Sequence, residues 1–312
     1  MPNQPLIREN VSLAPLTYYK IGGPARYYAQ PTSIGELAQI SEFLRKNHLP
    51  YFIMGAGSNV LLDDKGFDGL VLHTNQLDRS LQTNSNASVN TPDPGLLIEV
   101  GASVMVIQLL RHCMGEGISG LELLVGIPGN MGGVFTMNAG TKIGEIKNIV
   151  TQLDVYDLAT NQTRTIGKSD LKYSYRQQHF LKPHELVLKG TVRGTLSDPK
   201  TVQDKVQLLL TARKKSQPID KPSCGSVFKN PSPQDQAWQL IDKAGLRGYK
   251  TGNAQISEVH TNFIVNLGGA TAADVKAVIV HAKTQVKAKF NIELEEEVKI
   301  IAHNWDEKKL SG

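Results

Sequence analysis

Met54-Gly55-Ala56-Gly57-Ser58-Asn59 gathers small residues and a Ser-Asn pair, the composition of a loop whose backbone N–H groups can come close to a phosphate. A dinucleotide-binding turn of the doubly wound type is excluded. That turn needs a third glycine three residues after the second and a helix opening there, and Val60 stands in that position. Val60-Leu61-Leu62 and the Asp63-to-Gly66 segment read instead as a short strand and a turn. A second stretch, Gly126-Ile127-Pro128-Gly129-Asn130-Met131-Gly132-Gly133-Val134-Phe135-Thr136-Met137-Asn138-Ala139-Gly140, holds five glycines and one proline with almost no charge. Flexible linkers carry Ser, Glu or Lys rather than Val-Phe-Thr-Met, so this is expected to be a packed loop that lays bare backbone against a large flat ligand.

Other reactive side chains say less by themselves. Cys113 and Cys224 form at most one pair, and their spacing suggests neither zinc nor a disulfide framework, which fits a reducing compartment. Arg213-Lys214-Lys215 is the densest basic cluster, but no arginine-rich arm, aromatic RNA-binding strand or zinc finger accompanies it. The net charge of +5 and pI near 9.0 therefore do not call for nucleic acid, since a small phosphorylated ligand explains them as well. Taken alone, Arg176 reads as a surface ion pair, Gly225-Ser226 as a turn entering a strand, and Glu295-Glu296-Glu297 as a solvated charge run. Strand alternation puts Glu296 and Glu297 on opposite faces.

The elements that must position these residues are legible in outline. With 312 residues, 40% hydrophobic and 20% charged, the chain buries a sizeable core and divides into two or three lobes. The first thirty residues include Arg8 and Glu9 and lack an apolar targeting segment, and nothing approaches the ~18 apolar residues of a membrane span. A cytoplasmic protein with no membrane attachment is expected. Ser33-Ile34-Gly35-Glu36 caps a helix with Leu37, Ile40 and Leu44 on one face, ending near Asn47, and Tyr51 to Met54 is a buried strand feeding the first glycine loop. Residues 81–95 read as an exposed hairpin or lobe boundary, followed by a strand over 96–100 and a helix over 104–114 ending at Gly115. Helices are expected over 201–214, over 238–244 and after the cap Thr271-Ala272-Ala273-Asp274, with Val275, Ile279, Ala282 and Val286 as the core stripe of the last, and a strand over 294–301 closes the chain.

With those residues in view, the chain resembles the UDP-N-acetylenolpyruvoylglucosamine reductase (UDP-N-acetylmuramate dehydrogenase) family. The likeness runs through Lys20-Ile21-Gly22-Gly23-Pro24-Ala25, Gly55 to Asn59, Gly126-Ile127-Pro128-Gly129, Met137-Asn138-Ala139-Gly140, Tyr175-Arg176, Gly225-Ser226-Val227-Phe228-Lys229-Asn230-Pro231 and Glu297-Val298, in that order over nearly the whole chain. The resemblance implies an α+β fold: a two-lobed FAD-binding region of the vanillyl-alcohol oxidase (PCMH) type over 1–200, with lobes at about 1–78 and 79–200, and an α+β substrate-binding lobe over 201–312. It implies non-covalent FAD, NADPH as reductant and the enolpyruvyl ether of UDP-N-acetylglucosamine as substrate, acted on by a monomer in peptidoglycan synthesis. Gly55, Ala56, Gly57, Ser58, Asn59, Gly126, Gly129, Gly132, Asn138, Gly140 and Arg176 would hold the cofactor, and Tyr175, Lys229, Asn230 and Lys214 the substrate, with Arg247 a further candidate for its phosphates. Arg176, Glu297 and Ser226 would stabilise and protonate the reduced substrate. Cys224 is then a small buried thiol, since no covalent step is needed.

Departures bear on particular residues. Gln178 stands where many relatives have a serine two places after the arginine, Asn130 replaces a Thr or Ser, and Thr261 an Ala. The span from Arg176 to Leu186 leaves no room for the tyrosine-bearing loop of the longer subclass, so the shorter subclass is expected. The alternatives are an oxygen-using oxidase of the same fold, which predicts a flavin-attachment His or Cys in the glycine loops and a long substrate domain, and a non-catalytic nucleotide- or RNA-binding protein, which predicts steep salt dependence.

Overall fold

The computed structural model describes residues 5–84, 95–306 and 310. The first lobe contains β1 (Ile7–Ser12), β2 (Pro24–Ala29), α1 (Ile34–Lys46), β3 (Tyr51–Met54), β4 (Val60–Leu62) and β5 (Phe67–His73). Its sheet runs β1-β2-β5-β3, antiparallel at the first pairing and parallel at the other two. Ser33 Oγ accepts the Glu36 N–H at 3.2 Å, while the Glu36 carboxylate takes the Thr32 N–H at 2.6 Å, one residue upstream of the usual reciprocal bond. Leu37, Ile40 and Leu44 are fully buried in one cluster with Leu70 and Leu72, each contributing about 1.5–3 kcal/mol by leaving water. The α1 helix thus fixes where β3 ends and the first glycine loop begins.

The second lobe contains β6 (Leu81–Asn84), β7 (Leu96–Gly101), α2 (Val106–Glu116), β8 (Ile118–Ser119), α3 (Met131–Thr136), β9 (Gly140–Thr141), β10 (Gly144–Glu145), β11 (Val150–Asp157), β12 (Gln162–Gly167), β13 (Tyr173–Ser174), β14 (Gln177–Gln178) and β15 (Glu185–Leu196). The antiparallel path β12-β11-β15-β7-β6 is centred on β15. Residues 85–94 of the stretch read as an exposed hairpin lie outside the described residues; β6 and β7 on either side pair antiparallel, Asn84 opposite Leu97. The α2 helix runs past Gly115 to Glu116, because Gly117 rather than Gly115 adopts the left-handed conformation, at φ +64°, that closes a helix.

The second glycine stretch is less loop-like than its composition suggests. Asn130 Oδ1 accepts the Gly133 N–H at 3.3 Å and starts α3, whose Met131, Val134 and Phe135 are buried in the second lobe's core. Gly132 and Gly133 dilute that helical pattern in the sequence.

The C-terminal region contains α4 (Pro199–Ser216), α5 (Ala237–Lys243), β16 (Lys250–Thr251), β17 (Ala254–Ile256), β18 (Ile264–Asn266), α6 (Ala272–Phe290) and β19 (Lys299–Ile301). A boundary at residue 200 falls at the opening of α4, yet Val202 and Val206 of that helix lie in the second lobe's core. The last lobe's own core draws on Cys224, Val227 and Phe228 and on the buried stripe of α6, together with Tyr19, Ile21 and Leu61 from the first lobe. Only residues 299–301 of the expected closing strand are in strand conformation, and they pair parallel with β4, Lys299 opposite Val60. Asp64 of the first lobe accepts the Ala272 and Ala273 N–H groups at 2.7 and 3.0 Å, so the α6 terminus is anchored across the lobe junction.

Candidate active site

A cleft of about 780 Å³ runs between the lobes, within the range that cofactor sites occupy. It is lined by the end of β3 and the loop Gly55–Asn59, by parts of the 127–140 stretch, and by side chains from the 176, 224–226 and 297 segments. Gly57 has φ +69°, and a Cβ there would lie 2.5 Å from the Leu16 carbonyl oxygen. Only glycine fits. The two glycine stretches pack back to back: a Cβ on Gly55 would meet Asn130 Oδ1 at 2.7 Å, and one on Gly129 would meet Ser58 Oγ at 2.6 Å. Asn59 joins the loop to the far segment, its Nδ2 donating to Glu297 O at 3.2 Å and its O accepting the Lys299 N–H at 3.1 Å.

Arg176 sits in the two-residue turn between β13 and β14 with φ +57°. Its Nε lies 2.9 Å from Glu297 Oε1, yet that N–H has no hydrogen-bond partner, so the contact is one of charge rather than of a directed bond. The guanidinium also makes a long bond from Nη1 to Asn138 O at 3.5 Å and lies over the Tyr175 ring at 5.1 Å. Asn138, fully buried at φ +45°, builds the platform beneath: its Nδ2 donates to Glu145 Oε2 at 3.0 Å and Ser174 O at 2.9 Å, and its Oδ1 accepts the Lys147 N–H at 3.2 Å.

Burial raises the Glu297 carboxyl above the usual carboxylate range, with Arg176 and then Lys229 opposing. Ser226 lines the cleft, half-buried, after Gly225 at φ +81°. Cys224 is a buried thiol pushed up to about 12 by burial and placed beside Tyr19, which suits packing and not nucleophilic attack.

Several expected contacts lie elsewhere. Among the residues expected to hold the cofactor, Gly55 to Asn59, Gly132, Gly140 and Arg176 line the cleft, whereas Gly126, Gly129 and Asn138 do not and serve packing behind it. Tyr175 is exposed, Lys229 pairs with Glu295, Asn230 Oδ1 accepts the Ala237 N–H at 3.1 Å, Lys214 is exposed at the end of α4, and Arg247 pairs with Asp242. None of these five lines the cleft.

Arg213 does, although the sequence marks it only as part of a basic cluster. Its Nη1 donates to Val125 O at 3.2 Å, its buried Nε has no partner, and a Cβ on Gly126 would strike its Cδ at 2.3 Å. Gly126 therefore makes room for Arg213. Burial, and then the Arg176 charge, pull the Arg213 guanidinium down to about 10. The stripe Val202, Val206, Leu210, Arg213 would have revealed it, since helical spacing turns Arg213 to the buried face and Lys214 away. Two buried guanidinium Nε–H donors without partners in a glycine-walled cleft are what an anionic ligand with ring carbonyls needs, so the residues present fit FAD and a carboxylate substrate.

Glycine loops beneath a guanidinium-lined cleft, between two α+β lobes, define a flavin-binding protein, and an FAD binding domain model matches residues 25–167. A model of the UDP-N-acetylenolpyruvoylglucosamine reductase C-terminal domain matches residues 217–301. The UDP-N-acetylenolpyruvoylglucosamine reductase of Syntrophobacter fumaroxidans is 40% identical over 290 residues, covering 93% of this chain and 82% of that one. That of Geotalea uraniireducens is 38% identical, covering 95% and 94%. The crystal structure of the Thermus caldophilus reductase superposes with a TM-score of 0.77 at 30% identity, over 94% of this chain and 99% of the other. The chain belongs to the UDP-N-acetylenolpyruvoylglucosamine reductase family, and its fold is the two-lobed FAD-binding α+β region of the vanillyl-alcohol oxidase type followed by an α+β lobe.

Proposed function

We propose that this protein is an NADPH-dependent flavoenzyme that reduces the enolpyruvyl ether of UDP-N-acetylglucosamine to UDP-N-acetylmuramate in peptidoglycan synthesis. The observation that carries the reading is the meeting of Arg176, Ser226 and Glu297, from three separate stretches, in the cleft walled by the glycine loops. FAD, if bound there, would supply the hydride chemistry, with NADPH as its reductant. Hydride addition at the substrate's methylene carbon leaves negative charge on the neighbouring carbon and its carboxylate. The Arg176 guanidinium, fixed over its Asn138 platform, grips that carboxylate with planar donors, and Arg213 adds a second fixed positive charge. Glu297, whose carboxyl burial raises above the usual carboxylate range, stands beside the same charge. Ser226 supplies the proton: a hydroxyl is a weak acid, but the carbon it meets is far more basic than water.

We further propose that it acts as a monomer. No helix among the described residues is long and apolar enough to cross a membrane. The proposed nucleotide-sugar substrate would be met in the cytoplasm. Because α4 packs into the second lobe, we place the end of the FAD-binding region after that helix, near residue 216.

The visible spectrum tests the reading. A flavin band that bleaches with NADPH under nitrogen and returns on addition of the enolpyruvyl sugar is expected. Return with oxygen alone would favour an oxidase, and a folded protein that refuses FAD would overturn the assignment.

A further inference from the structure

The stretch bearing Ser226 is held by single residues rather than by a sheet. Phe228 opposes Glu296 in an isolated pairing, and on that side Val227 O accepts the Glu297 N–H at 2.8 Å while the Lys229 N–H donates to Glu295 O at 2.9 Å. On the other side the partner is Asn262, which is 4% exposed. Its backbone O accepts the Val227 N–H at 2.9 Å. Its side chain then closes a ring on the next residue: Oδ1 accepts the Phe228 N–H at 2.9 Å and Nδ2 donates to Phe228 O at 2.8 Å. One primary amide thereby does for Phe228 what a neighbouring strand would do.

Val227 sits between these two sets of bonds, its N–H on Asn262 and its C=O on Glu297. The spacing of Ser226 from Glu297 is thus set by backbone bonds that the Asn262 amide locks from behind. We infer that Asn262 is a positioning residue that fixes the Ser226 hydroxyl for proton delivery, an inference that rests on the assignment of Ser226 above. The job needs a short planar group with a donor and an acceptor side by side. Ionised aspartate offers two acceptors and repels Phe228 O, whereas protonated aspartic acid restores the amide's pattern.

That difference supplies the test. In the FAD-loaded full chain, reduction by NADPH and reoxidation by the enolpyruvyl sugar are followed separately by stopped flow. Asn262→Ala is expected to slow reoxidation by about a hundredfold, as displacements of about 1 Å do, while leaving reduction within about threefold of wild type. Asn262→Asp is expected to regain reoxidation as pH falls from about 8 to 5, a trend opposite in origin to any of the wild type, because burial keeps the new carboxyl protonated at the acid end and rising pH ionises it. His260, whose Nδ1 accepts the Asn262 N–H at 3.3 Å, is lowered to about 4 by burial and stays neutral across that range. Lys229, Glu295, Glu296 and Glu297 flank the same segment in both proteins, and Lys142, Arg213 and Arg247 act on His260 in both, so the wild-type profile controls for them.

Equal slowing of both half-reactions, or an Asn262→Asp profile parallel to wild type, overturns the proposal. Ser226→Ala is run beside them: if it reoxidises normally, the donor assignment fails and the inference falls with it, whereas loss in Ser226→Ala with normal Asn262 variants refutes the positioning role alone. Should the variants not fold, hydrogen exchange in the wild-type protein decides. The Phe228 amide is expected to be protected to the same degree as that of Val227, and unprotected exchange there overturns the clamp.

Discussion

Arg176 occupies the left-handed region at φ +57°, a conformation that costs a residue with a side chain roughly 1–3 kcal/mol and persists where the surroundings impose it. Here the surroundings are Asn138 and the short β13–β14 hairpin. A lysine can keep the charge but not the planar pair of donors, so Arg176→Lys is expected to retain FAD and to lose at least about a hundredfold in reoxidation by substrate, read by stopped flow. Reoxidation at the wild-type rate would remove the carboxylate-gripping role. Glu297 offers a second check through pH. Its folded value is raised, so the folded state holds a proton that the unfolded chain has released, and stability falls as pH rises from the ordinary carboxylate range through the raised value. Melting temperatures of wild type and Glu297→Gln, measured from about pH 5 to 8, should therefore move apart in the variant's favour as pH rises. The same variant should reduce normally with NADPH and reoxidise slowly.

At the scale of elements, α4 divides sharply between its faces. Arg213→Gln is expected to weaken substrate-driven reoxidation at least tenfold, roughly the effect of losing a charge-assisted bond, while Lys214→Ala stays within about twofold. Equal effects would place the substrate on the outer face of the helix. In the first glycine loop, Gly57→Ala must push a Cβ against Leu16 O at 2.5 Å in a left-handed backbone, and should lower stability by roughly 1–3 kcal/mol and FAD content with it. Denaturant midpoints and flavin-to-protein ratio measure both. What could be read beforehand followed local physics: the α1 cap, the α6 cap and stripe, and the strand feeding Gly55 all stand as their residues imply. What could not be read depends on neighbours. The α3 helix hides behind two glycines, Arg213 is distinguished from Lys214 only by a stripe defined by a core, and Asn138 shows its role only once Ser174 and Glu145 stand beside it.

For the whole molecule, the C-terminal lobe is not a separate body. Its core includes Tyr19, Ile21 and Leu61, its last strand pairs with β4, and its long helix is capped by Asp64. Residues 217–312 expressed alone should consequently show no cooperative thermal transition by circular dichroism, and a sharp two-state melt would contradict this dependence. Such closure of the chain's end onto its beginning left no mark in the sequence, because a three-residue parallel pairing has no pattern of its own. One residue of that closure, Asn59, has a further consequence. It belongs to the loop expected beneath the cofactor's phosphates, and it also grips the backbone of the acid at 297 and of its neighbour at 299. The loop and the acid thus share one joint, as a keystone bears on both halves of an arch. A change at Asn59 that weakens its hold on residues 297 and 299 would therefore be felt both in the loop at 55–59 and at the Glu297 carboxyl.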